Sequence, residues 1–243
     1  MKKLFLSLAV IFVLSASAVL PVQAQGRADD KGRHAVKTHV QVPLNLAVLV
    51  QDDLVSRVGS ELGVTGDFIR ALPAGSRVLV GYLTAGSLQV RQPFTTDLEQ
   101  AARALRMPVA NESAAPYNPY VEVLEALRKF DVKDAHQNAV LLISDGLDTS
   151  RGFDSDSVLN SVDLNRAVRE AKQRNVSVYA FYAPTVGLTS YDQTAVSFGQ
   201  SALNRIADET GGRAFFQGTS FVTFDSYFDR LRHALNERFA PLS

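Results

Sequence analysis

Ala139-Val140-Leu141-Leu142-Ile143-Ser144-Asp145-Gly146-Leu147-Asp148-Thr149 is the stretch whose reading decides the fold. Ala139–Ile143 is the most apolar strand candidate in the chain. A short apolar run with turn residues after it suits a strand buried on both faces. Leu44-Asn45-Leu46-Ala47-Val48-Leu49-Val50 has the same texture, and Gln51-Asp52-Asp53 follows it. Both runs therefore end in carboxylates, at the edge where open parallel sheets hold ligands.

The elements around these strands alternate. Leu54, Val55, Val58, Leu62, Phe68, Ile69 and Leu72 recur at mostly helical spacing, with Gly63 and Gly66 as expected interruptions. Arg77–Leu83 and Leu88–Phe94 read as strands joined by Thr84-Ala85-Gly86, a link short enough for an antiparallel hairpin. Thr96 is the expected N-cap of a helix over Asp97–Leu105. Helices follow over Tyr120–Phe130 and Leu164–Arg174, and a strand over Val176–Tyr182. Leu203, Ile206 and Ala207 mark another helix, stopped by Gly211-Gly212 before a short strand, Arg213–Gln217. Phe224, Tyr227, Phe228, Leu231 and Leu235 stripe the last helix. The order predicts a three-layer α/β/α fold. Its doubly wound, mostly parallel sheet has six strands, one of them an antiparallel edge strand.

Composition narrows the function. The 243 residues are 46% hydrophobic and 21% charged, a globular profile. Lys+Arg 25 against Asp+Glu 25 leaves no basic excess for phosphate neutralisation, which argues against nucleic-acid binding. No cysteine is present, so disulfide frameworks, thiolate metal sites and thiol catalysis are excluded. Phosphate-loop, dinucleotide and nucleophile-elbow motifs are absent. None of His34, His39, His136 and His233 falls near the Asp turns.

Lys2-Lys3, the apolar run Leu4–Leu20 and Val22-Gln23-Ala24 read as a signal peptide over 1–24. An uncleaved anchor is the other reading of that run, which is at the short limit for a bilayer span. Cleavage removes two Lys and no acid, leaving 23 basic against 25 acidic residues and a net charge of −2. The expected destination is the periplasm or the exterior. Residues 25–43 read as a polar linker, and 44–243 as the folded domain.

Val140–Thr149 resembles the strand–(T/S)DG–x–D segment of von Willebrand factor type A domains. Ala207-Asp208-Glu209-Thr210-Gly211-Gly212-Arg213-Ala214-Phe215 is similar to the helix–TGG–strand close of those domains, especially secreted bacterial ones. The resemblance covers most of Leu44–Phe239. It implies a metal-ion-dependent adhesion site made of Asp-x-Ser-x-Ser in a first loop, a Thr in a second and an Asp in a third. Asp145 matches the third part. The first loop departs, reading Gln51-x-Asp53-x-Val55, and sliding by one gives Asp52-x-Leu54-x-Ser56. The second-loop Thr falls near Ala115 and is also lost.

Mg²⁺ demands near-octahedral oxygen ligation, so a rim of Asp52, Asp53 and Asp145 with these hydroxyls missing predicts an eroded site. The expectation is no resident cofactor, with weak Mg²⁺ or Ca²⁺ binding as the alternative. For either turn alone, ordinary turn chemistry explains the Asp and Gly. Three loops, Pro108–Pro119, Gly146–Ser161 and Pro184–Phe198, share the rim, and they and their edges carry Tyr117, Tyr120, Phe153, Tyr191 and Phe198. Exposed rings are enriched in protein interfaces, which makes Tyr117, Phe153 and Tyr191 candidate partner contacts; packing as loop staples is the competing reading. The expected function is a secreted, non-catalytic module binding a protein or envelope partner. A metal-dependent hydrolase built on the Asp52/Asp53/Asp145 cluster is the alternative, and an idle scaffold the third reading.

Overall fold

A computed structural model describes residues 39–109, 117–131, 137–152, 161–216 and 223–239. The chain divides into two units, Met1–Val36 and Lys37–Ser243, and every described residue lies in the second. The expected signal segment, and the linker up to residue 38, lie outside the described residues.

β1 (Leu44–Gln51) is buried at every position. It runs parallel to β2 (Arg77–Thr84) on one side and to β4 (Gln137–Ser144) on the other. β3 (Ser87–Thr95) returns antiparallel to β2, and β5 (Val176–Tyr182) and β6 (Ala214–Phe215) extend the sheet beyond β4. The strand order is β3-β2-β1-β4-β5-β6. Succession reverses direction between β1 and β4, so their carboxyl ends form the topological switch point. The fold class expected from the sequence is the one observed.

Period-two alternation splits β1 between two cores. Leu44, Leu46, Val48 and Val50 join one core with α1 (Val58–Arg70), α2 (Leu98–Arg103) and α6 (Asp225–Phe239). Ala47 and Leu49 join the other with α3 (Pro119–Leu127), α4 (Val162–Gln173) and α5 (Gln193–Glu209). The predicted stripe on the last helix is buried, and its Phe228 ring packs edge-on to Phe181 of β5 at 4.9 Å.

Three local expectations are corrected. α1 begins at Val58, because Leu54 bridges to Thr185 and the Val55 N–H donates to the Pro184 carbonyl, holding this stretch out of the helix. Gly63 and Gly66 do not interrupt α1, which runs unbroken through both. The α2 cap is Asp97, whose carboxylate accepts from the Gln100 N–H at 2.9 Å, and not Thr96. The Thr210-Gly211-Gly212 turn has a packing cause. A Cβ on Gly212 would sit 1.9 Å from the Val178 carbonyl oxygen, while the Thr210 hydroxyl accepts from the Val178 N–H at 3.0 Å.

Candidate functional site

Parallel register sets the rim. Val50 lies opposite Ile143, which brings the last residues of β1 and β4, Gln51 and Ser144, side by side. The Gln51 amide, 1% exposed, then joins both turns. Its oxygen accepts from the Ser144 hydroxyl and, at 3.1 Å, from the Asp145 N–H. Its nitrogen donates to Asp53 Oδ1 at 2.9 Å. A neutral amide that donates to one side and accepts from the other does what a carboxylate at this position could not.

Asp145 is 4% exposed, with both oxygens occupied. Oδ1 accepts from the Leu147 N–H at 3.0 Å. Oδ2 accepts from the Thr189 hydroxyl at 3.0 Å and the Thr185 hydroxyl at 3.2 Å. Burial, and next the charge of Asp53, push the Asp145 carboxyl up to about 6, against the Leu147 and Thr189 hydrogen bonds. Asp53 is also raised, chiefly by burial, with the Gln51 hydrogen bond opposing.

Asp52 faces elsewhere. Arg106 holds both its oxygens, Nη1 to Oδ1 at 2.6 Å and Nη2 to Oδ2 at 2.8 Å, and the Val109 N–H adds 3.1 Å. The Arg106 guanidinium lies 4.1 Å over the Tyr82 ring, and the Tyr82 hydroxyl donates to the Arg106 carbonyl at 2.6 Å. This clamp is geometrically specific, as bidentate Arg–carboxylate pairs are. The three predicted carboxylates thus share a rim without converging on one point. No group of three or more His, Asp or Glu side chains arranged to hold a metal occurs among the described residues.

The Asp145-Gly146 turn is seated directly on α5. A Cβ on Gly199 would meet the Asp145 carbonyl oxygen at 2.0 Å, and one on Gly146, whose φ is +74°, would meet the Gly199 carbonyl oxygen at 2.5 Å. Asp148 closes the following loop, with Oδ2 accepting from the Ser161 hydroxyl at 2.7 Å.

The candidate contact rings divide. Tyr117 is not on display: it is buried, its hydroxyl donates to the Leu83 carbonyl at 2.6 Å, and its N–H donates to the Thr149 hydroxyl. Tyr120 is likewise buried, donating to the Gly146 carbonyl at 2.7 Å. Both rings staple the loops to the sheet end. Phe198 is half-buried against Leu147 and Ala195. Phe153 lies outside the described residues. Tyr191 is 73% exposed. The segment after α2 adds two exposed apolar residues that the sequence reading passed over, Met107 at 59% and Val109 at 61%. It also missed Arg106, Thr185, Thr189 and Gly199. Only the spacing of Thr185 and Thr189, two hydroxyls four apart after a strand end, offered a signal.

No protein-family model matches the sequence, and no curated protein matches it. Solved structures do. An aerotolerance-related membrane protein from Bacteroides fragilis superposes with a TM-score of 0.53 at 13% identity, covering 81% of this chain and 100% of that one. BatB from Bacteroides thetaiotaomicron gives 0.53 at 12% identity, covering 82% and 98%. The VWA domain of SpRpn10 gives 0.45 at 11% identity, covering 80% and 95%. The chain shares the α/β fold of the two Bacteroides proteins, the fold class expected from the sequence. At these identities the likeness is one of fold alone.

Proposed function

We propose that the protein is an exported, non-catalytic binding module whose partner docks on the carboxyl end of the sheet without a bridging cation. The observation that carries this reading is the Arg106–Asp52 clamp beside the Gln51 amide. A guanidinium occupies both oxygens of Asp52, and a neutral amide, Gln51, stands where the adhesion motif has an acid. Asp145 already has internal donors on both oxygens. A cation would have to displace these partners and then find its oxygen ligands among carboxylates whose charged forms burial disfavours. The same facts count against the hydrolase reading, which needs an open divalent ion to activate water.

The docking surface is centred on Met107, Val109 and Tyr191. Val109 bonds to Asp52, and the loop bearing Tyr191 bonds through the Val186 N–H to the Asp53 carbonyl, so both segments are anchored on one turn. Large apolar side chains this exposed, beside an ordered rim, suit a protein partner. Export rests on the charged and apolar pattern of residues 1–24. No described helix is long and apolar enough to cross a membrane.

Photo-crosslinkers placed at Met107 and Tyr191 in the expressed protein test the reading, with Arg166 on the far exposed side of α4 as the control position. One common adduct from both rim positions, undiminished by EDTA, is expected. An adduct lost with EDTA, or formed equally from Arg166, would contradict it.

A further inference from the structure

A second site lies away from the rim, where α6 crosses the edge of the sheet. Tyr179 of β5 is 1% exposed, and its hydroxyl has no hydrogen-bond partner among the described residues. It lines a cleft of about 200 Å³ together with Gly211, Gly212, Arg213, Glu237 and Arg238. A buried hydroxyl left unpartnered is costly, and such groups are normally satisfied by protein, water or ligand. A second hollow of about 390 Å³ adjoins this one, sharing Gly211 and Arg238.

The charges around the hydroxyl are unequal. Arg213 and Arg238 make no ion pair among the described residues; the one hydrogen bond of the Arg238 side chain is a long one, from Nε to the Ser177 hydroxyl at 3.4 Å. Both guanidinium charges act on the Tyr179 hydroxyl and oppose the burial that pushes its pKa up to about 12, while Glu237 adds to the rise. In the adjoining hollow Lys172 is already paired to Glu209, and Asp208 accepts from Asn204. Two arginines without an ion pair among the described residues, and a tyrosine whose buried hydroxyl is orphaned, therefore line one cleft with a single acid, Glu237, at its wall. Arginine forks match the oxygens of phosphate and carboxylate groups, and phosphate takes the larger number of donors.

We propose that this cleft binds one tetrahedral oxyanion of the phosphate class, held by Arg213 and Arg238 with the Tyr179 hydroxyl as the buried donor. The site is independent of the rim and of the function proposed for it. Its ligand is either the free ion or a phosphomonoester, since the cleft opens to solvent beside the larger hollow.

Titration of the ¹⁵N-labelled protein with inorganic phosphate, and separately with glycerol 3-phosphate, tests the assignment at constant ionic strength. Saturable shifts of the Gly211, Gly212 and Arg213 amides are expected. Saturation by phosphate alone assigns the free ion; saturation by both assigns the monoester class. The Arg213→Ala/Arg238→Ala variant, altered only at exposed positions, should bind about tenfold or more weakly with an unchanged spectrum elsewhere. Tyr179→Phe, which keeps the ring, should also weaken binding. Shifts that chloride reproduces, or that survive in the double Arg variant, would overturn the proposal, as would an adventitious ion only, seen as shifts that never saturate.

Discussion

Arg106 and Asp52 stand 54 residues apart in sequence and meet in a two-bond clamp, at 2.6 and 2.8 Å, beside the point where the strand order reverses. The pair is partly buried, with side-chain exposures of 27% and 14%. It joins the segment after α2 to the first strand end and fixes where Met107 and Val109 are presented.

Arg106→Ala leaves Asp52 half-buried with only the Val109 N–H. Loss of two charge-assisted hydrogen bonds, discounted for partial exposure, predicts a destabilisation of about 1–3 kcal/mol by urea unfolding. The crosslinking yield at Met107 should fall with it. Unchanged stability would mean the clamp does not hold the rim.

The contact of Gly199 with Asp145 predicts that Gly199→Ala is poorly tolerated despite its helix-favouring residue. The added methyl has no space beside the Asp145 carbonyl oxygen, and the turn must shift. Overpacking of this kind costs about 1–3 kcal/mol, against a gain of under about 1 kcal/mol in helix propensity. A variant as stable as the parent, measured by thermal unfolding, would show that the Asp145-Gly146 turn is not seated on α5.

Glu122 predicts a pH dependence. It is fully buried on α3, where its carboxylate accepts from the Gly86 N–H at 3.0 Å in the β2–β3 hairpin. Burial pushes its pKa up to about 8, with the Gly86 hydrogen bond opposing and Glu125 adding to the rise. A raised carboxyl means the folded state holds the proton that the unfolded chain releases. Its contribution is therefore full below the ordinary value of 4.5 and is lost as pH rises toward about 8. Glu122→Gln should flatten that decline, gaining most over the parent at the alkaline end. Equal slopes in the two proteins, from urea midpoints across this range, would refute the assignment.

The sheet was legible because both central strands are continuous apolar runs of strand length, and because helical stripes separate them. Leu142 is fully buried in β4, so Leu142→Ala should cost ~2–5 kcal/mol. The Asp145 turn and its position beside Gln51–Asp53 were legible for the same reason: parallel register places the two strand ends together. What closes the rim was not. Arg106 reaches Asp52 from a segment whose position depends on tertiary packing, and nothing in local spacing marks it. Tyr117 in the loop and Tyr120 at its edge look like surface rings, yet each hydroxyl finds a carbonyl at the sheet end and the ring is drawn down. The α2 cap was read one residue early: Asp97, not Thr96, carries the side chain that reaches the Gln100 N–H, and Asp is the better capping residue.

Calorimetric titration of the protein with Mg²⁺, Ca²⁺ and Mn²⁺ at neutral pH tests most directly whether the rim is complete without a cation. The proposal predicts no saturable heat at micromolar concentrations in either the parent or Asp145→Ala. Micromolar binding in the parent that vanishes in Asp145→Ala would contradict it and return the Asp52, Asp53 and Asp145 cluster to the role of a metal site.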